Sequence, residues 1–173
     1  MKKQDVITLI GLGLLSVSAH ELGPEQAYKV FQMKRSFERA HKAISEESEA
    51  ILKESGIDEG FRQKVADINN KGANKEALTI EEREWVTKAN NMQLRADKLL
   101  RKMYEAEATL DPIKTVSFET WRELQKENRA KEINGKTMDI LGGQAEMLLA
   151  DIFWQAPEEK VEKAEEAPKK SKK

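Results

Sequence analysis

From Glu25 to Ser55 the chain contains neither proline nor glycine. Along this stretch Val30, Met33, Phe37, Ala40, Ile44 and Ile51 recur at alternating spacings of three and four, broken only by Glu47. A period of 3.5 belongs to a helix that lays one narrow apolar seam along a second helix. Gly23–Pro24 opens the stretch, because proline at the first helical position loses no needed hydrogen bond. Gly56 closes it, which predicts a long helix over about 24–55. The pattern returns further on as Trp85, Ala89, Met92, Ala96, Leu99, Met103, Ala106 and Leu110. Thr79-Ile80-Glu81-Glu82 has the capping-box form and Asp111–Pro112 is a stop, so a second long helix is expected over about 80–110. Two such helices pack as an antiparallel hairpin or serve as arms of an oligomer. The expected fold is all-α, with four to five helices built on that hairpin. Phe37, Ile44, Trp85, Met92, Leu99, Met103 and Trp121 are the residues expected to carry packing or interaction. If Leu99 is buried, Leu99→Ala should cost about 2–5 kcal/mol.

The remaining sequence reads as shorter pieces around this pair. Val6 to Ala19 carries no charge, but the run is too short to cross a hydrocarbon layer of about 30 Å, so no transmembrane span is expected. One reading is a buried first helix, about 5–21, apolar nearly all round. Another is the apolar core of a cleaved export signal, with Lys2 and Lys3 ahead of it and small residues at Val17-Ser18-Ala19. Asp5, Gly11 and Gly13 favour the buried helix. Membrane contact by this segment is a third use, though it lacks a basic polar face. Asp58, Phe61, Val65 and Ile68 predict a short helix, followed by a loop at Asn69-Asn70-Lys71-Gly72. Ile113 to Phe118 alternates briefly and fits a short extended piece. Ser117 or Thr120 can cap a helix over about 117–129 that carries Phe118, Trp121 and Leu124, and Thr120 with Glu123 fits a capping box. Asn134–Gly135 is a turn signal, and a last helix is expected over about 144–154. Residues 156–173 hold five acidic and six basic residues and one valine. They cannot bury a core and read as a disordered charged tail on a helical domain of 1–155.

Chemical motifs begin and then break. There is no cysteine and there are two histidines, His20 and His41, which leaves no thiolate chemistry and little for an imidazole metal cage. Gly135-Lys136-Thr137 imitates the end of a phosphate-binding loop, but Ala130 stands where its first glycine belongs. Gly11 and Gly13 begin a dinucleotide fingerprint that Ser16 breaks. His20-Glu21 begins a zinc-protease pattern that Pro24 breaks. Asp67 to Gly72 resembles the start of a calcium loop, but Lys71 and Leu78 replace ligands. The clustered Glu46, Glu47, Glu49, Glu81, Glu82 and Glu84 lie among cations on exposed faces, with no apolar pocket to shift a pKa. No cofactor, metal or catalytic residue is expected.

Thirty Lys and Arg against 31 Asp and Glu leave a net charge of −1, which argues against general nucleic-acid binding. Lys34, Arg35, Arg39 and Lys42 form the best basic group. It serves either as a nucleoprotein contact or as ordinary partners for Glu38 and Glu46 at i,i+4 spacing.

The arrangement resembles a class of small helical proteins encoded by tailed bacteriophages and prophages, most of them of uncharacterised function. The matching pieces are Leu9 to Leu22, then GPEQAYKVFQMKRSFERAHKAISEESEAIL, then LDPIKTVSFETWRELQKEN at Leu110 to Asn128. The resemblance implies a non-enzymatic accessory protein of phage growth or particle assembly. Such a protein would work in the host cytoplasm or the virion through protein partners and self-association. The alternatives are an exported helical binding module and a nucleoprotein-associated factor using the basic group.

Overall fold

The computed structural model describes residues 1–133 and 135–154. The expected tail at 156–173 lies outside the described residues. The fold is all-α, with six helices and a two-stranded hairpin among the described residues. The helices are α1 (Lys3–Gly11), α2 (Pro24–Glu54), α3 (Glu59–Ala73), α4 (Ile80–Glu105), α5 (Phe118–Glu127) and α6 (Gln144–Phe153).

The long pair α2 and α4 runs antiparallel. Asp111, just past α4, accepts from the Ser36 hydroxyl at its carbonyl and from Arg39 at its carboxylate, midway along α2. Met92, midway along α4, lies over Gly56 just past the end of α2. Rising positions on one helix therefore meet falling positions on the other. The inward stripe of α2 is buried through Val30, Met33, Phe37, Ala40 and Ile44. Thr79 caps α4 with Glu82 in the reciprocal arrangement that the sequence calls for.

The first helix is shorter than expected. It ends at Gly11, and a single 3-10 turn at Leu14–Ser16 replaces helix up to 21. Gly13 is the physical reason: it sits at φ +91, and a Cβ there would come within 2.6 Å of Ile133 Cδ1. Only glycine accommodates both the left-handed backbone and that approach. The segment is a core element nonetheless, with Val6, Leu9, Leu14 and Val17 all buried. Lys3 donates its amide to the Ala106 carbonyl at 2.9 Å, Ala108 donates to the Met1 carbonyl at 2.9 Å, and the Lys3 ammonium pairs with Glu47. These ties also explain why α4 stops at Glu105 and does not run to 110. From Ala106 the chain turns extended and bridges to the first residues.

Three further expectations are corrected. Residues 69–72 are helical, inside α3, and not a loop. Asp58 caps that helix by accepting from the Phe61 amide, and Lys71 pairs with Glu82 across to α4. Of the two caps the sequence offers for α5, Ser117 is the one used, its hydroxyl accepting from the Thr120 amide; Thr120 lies inside the helix, so the expected capping box of Thr120 with Glu123 does not open it. Lys131–Ile133 (β1) and Lys136–Met138 (β2) form an antiparallel hairpin with Ile133 opposite Lys136, where the sequence showed only a turn. Gly135 lies in that turn at φ +74, while Asn134 is outside the described residues.

One continuous core gathers α1, the inner face of α2, Met103, Val116, Trp121, Leu124, Ile140, Leu141 and α6. The distal part of the hairpin, α3 with the first two-thirds of α4, contributes nothing to it: α3 has no buried residue. Its contacts are local. Phe61 packs on Trp85 at 5.4 Å between ring centroids, and the Lys64 ammonium sits over the Trp85 ring at 4.9 Å. Leu99, expected as a packing residue, is 39% exposed, whereas Ala89, Ala96 and Met103, seven apart, are buried. The α4 seam is thus narrower than its apolar stripe. Leu99→Ala is now expected to cost under about 1.5 kcal/mol, since a partly exposed side chain leaves no closed cavity. Ala96→Leu, which forces bulk into the close approach, should cost about 1–3 kcal/mol. Urea unfolding of the two variants checks this inversion.

Candidate interaction surface

The structure places the sequence-predicted packing residues unevenly. Phe37, Ile44, Met103 and Trp121 are buried in the core. Trp85 and Met92 are half-buried on the distal hairpin, and Leu99 faces solvent on its flank.

The basic group does not act as a unit. The Lys34 ammonium is half-buried and donates to the Val17 carbonyl at 3.0 Å. Burial, together with the nearby charge of Lys131, lowers its pKa against the opposing pull of Glu38. Arg39 forms a 2.7 Å ion pair with Asp111, and Lys42 lies 3.9 Å from Glu46. Arg35 instead stands 5.8 Å from the centre of the Phe31 ring.

That contact leads to the residues the sequence reading missed. Phe31 and Tyr28, 52% and 56% exposed, stack on each other at 6.4 Å on the outer face of α2. A shallow depression beside them is lined by Gln32, Arg39, Asp111 and Pro112. Exposed tyrosine, phenylalanine and arginine in contact form the composition enriched where proteins bind one another. The signal was present in the sequence. Tyr28, Phe31, Arg35, Glu38 and Lys42 repeat the alternation of three and four on the face opposite the buried stripe.

The broken chemical motifs have structural places. Gly13 meets the β hairpin, as described above. Gly135-Lys136-Thr137 lies in the β1–β2 turn and in β2, with no helix N-terminus behind it among the described residues to hold a phosphate. Asp67 to Gly72 lies within α3, so its carboxylate and amides do not converge as a calcium loop does. Among the described residues no three His, Asp or Glu side chains converge on a point that would hold a metal. No helix among them is long and apolar enough to cross a membrane.

The most developed polar network is a clamp on the loop after the first helix. Glu127 accepts from the Ser18 hydroxyl, the His20 amide at 2.8 Å and the Glu21 amide at 3.4 Å. The buried Asn128 accepts from the Ser18 amide at 2.7 Å and donates to the Ser18 carbonyl at 2.8 Å. Burial alone would raise the Glu127 carboxyl, but these hydrogen bonds and the nearby His20 outweigh it and lower its pKa. A carboxyl lowered in the folded state adds stability that is complete above its unfolded value and is lost as pH falls through its folded value. Glu127→Ala should cost about 1–2 kcal/mol near neutrality, after allowance for solvent screening. The gap between wild type and variant should close as pH drops through the carboxylate range, measured by urea unfolding at each pH. A gap of constant size would mean that the carboxylate charge plays no part.

The chain matches no family model, no curated protein and no solved structure.

Proposed function

We propose that this protein is a non-enzymatic accessory factor of phage-type growth or particle assembly that acts through helix-mediated protein contacts in the host cytoplasm or the virion. The observation that carries this reading is the stacked, exposed Tyr28–Phe31 pair with Arg35 against it. Aromatic rings left in water on a long helix cost the free chain solvation that a partner recovers on binding. The half-buried Trp85, with Phe61 and Lys64 on the distal hairpin, is a secondary contact region of the same kind.

The test is Phe31→Glu introduced at the native locus. A central aromatic contact is worth about 2 kcal/mol or more, roughly thirtyfold in affinity. The variant should therefore keep its helical content and thermal stability while losing its co-purifying proteins and lowering particle yield. A stable variant with an unchanged set of associated proteins and unchanged yield would remove the basis for this function.

A further inference from the structure

We propose that the outer face of α2 is where two copies of this chain meet, as an antiparallel pair with Phe31 of each copy against Arg35 of the other. The inference rests on the contact role given to this face above and names its occupant as a second copy.

The face is continuous, and among the described residues no helix or strand covers it, with Asp111 and Pro112 only at its flank. Pro24, Tyr28, Phe31, Arg35, Glu38 and Lys42 follow one another at spacings of four, three, four, three and four, and all are exposed. This is the seam spacing of paired helices, here on the side of α2 turned away from the core. The order of residue types decides the orientation. A parallel pair in register would set Arg35 against Arg35, Glu38 against Glu38 and Lys42 against Lys42, so every charge would meet its like. An antiparallel pair centred at residue 33 sets Phe31 against Arg35, Tyr28 against Glu38, and Pro24 with the adjacent Glu25 against Lys42. Each match is then favourable: a guanidinium on an aromatic face, a phenol hydroxyl on a carboxylate, and an ammonium beside a carboxylate. A two-fold axis needs such a self-complementary patch, in which residue i meets j and j meets i. Arg35 already lies over its own Phe31 at 5.8 Å from the ring centre, so its guanidinium is held at the part of the face where the second copy's Phe31 would meet it.

A contact along about five helical turns is at the small end of specific interfaces, below about 1,200 Å² in total. The dimer is accordingly a reversible, concentration-dependent one.

Sedimentation equilibrium of the full chain from about 1 µM to about 1 mM spans the dissociation constants such an interface gives. The mass should climb from 19.7 kDa toward twice that value. Phe31→Glu and Arg35→Glu should each hold it at the monomer, with circular dichroism unchanged. The absence of native cysteine gives a register test. Mixed chains carrying Glu25→Cys and Lys42→Cys should oxidise to the 25–42 heterodimer ahead of either homodimer. A wild-type chain that stays monomeric to the top concentration overturns the proposal. So does a dimer that survives Phe31→Glu or is lost instead on substitution of Leu94, an exposed leucine of α4 away from this face, by Glu (Leu94→Glu), and so does preferential 25–25 cross-linking. In any of these cases a loss of co-purifying proteins in the Phe31→Glu strain would still support the contact role, with a different partner.

Discussion

A chain that starts at His20 is expected to lose its cooperative unfolding transition. Removing residues 1–19 takes away Val6, Leu9, Leu14 and Val17, all buried in the single core. Each buried aliphatic side chain of this size contributes about 1.5–3 kcal/mol, so the four together rival the about 5–15 kcal/mol that holds a typical domain folded. The loss does not stop there. The Ala106 carbonyl and the Ala108 amide lose their partners on the first residues, and the Glu127 and Asn128 side chains lose the anchored end of their loop. Leu9→Ala alone should cost about 2–5 kcal/mol, a graded control that keeps the chain folded. Thermal scans of wild type, Leu9→Ala and the truncated chain should therefore show a transition, a lowered transition and none. The result also bears on export. A signal peptidase cutting after Ala19 would release the chain that is expected not to fold, so protein recovered from the native cell should retain these residues by intact mass. A cooperative transition in the chain from His20 would show that α1 is dispensable.

What was readable in the sequence follows from which physical signal each element carries. The α2 stripe was legible because partners cover it along its apolar run, so period and burial coincide from Val30 to Ile44. The α4 stripe was only half legible. Periodicity reports which face is apolar, not how far the neighbouring helix extends, and past Gly56 there is no α2 left to cover Trp85 and Met92. Leu99 belongs to the stripe by count yet lies at its edge, while the small Ala89 and Ala96 occupy the true line of approach. The first helix was ambiguous for another reason. A run without polar residues has no face to read, and only its tertiary ties to Ala106, Ala108 and Asn128 reveal that it belongs to the core. Three-residue strands are too short for an alternation signal, which hid the β hairpin. The Asn-Asn-Lys-Gly run reads as a loop by propensity, but packing of Phe61 on Trp85 and the Lys71–Glu82 pair hold it in α3. The candidate surface was obscured by grouping charges along the sequence. Lys34 and Arg35 are neighbours in sequence but point to different sides of α2, one onto the Val17 carbonyl and the other onto Phe31.

Trp121→Ala should be the most damaging single substitution in the folded body, at about 3–5 kcal/mol. Trp121 is the largest fully buried side chain. It stands at the joint where α5 meets the end of the chain: edge-on to Phe153 at 6.0 Å between centroids and stacked on Trp154 at 5.8 Å. The same joint carries the Val116 amide to Phe153 carbonyl bond at 2.8 Å and the pairing of Val116 with Trp154. Deleting the indole therefore opens a cavity and removes the ring that holds both Phe153 and Trp154 against α5, leaving only the Phe118 contact on Trp154 at 5.5 Å. Trp121→Phe separates packing from polarity. The Trp121 indole N–H has no hydrogen-bond partner among the described residues, so replacing it discards no bond and removes a buried donor that costs about 1–3 kcal/mol when unmade. That gain offsets much of the lost ring volume, and Trp121→Phe should fall within about 1.5 kcal/mol of wild type. Urea unfolding of the two variants, followed by far-ultraviolet circular dichroism, measures the difference directly. If Trp121→Phe proved as costly as Trp121→Ala, the indole N–H would have to be engaged by a group that the packing of α5 and α6 does not supply.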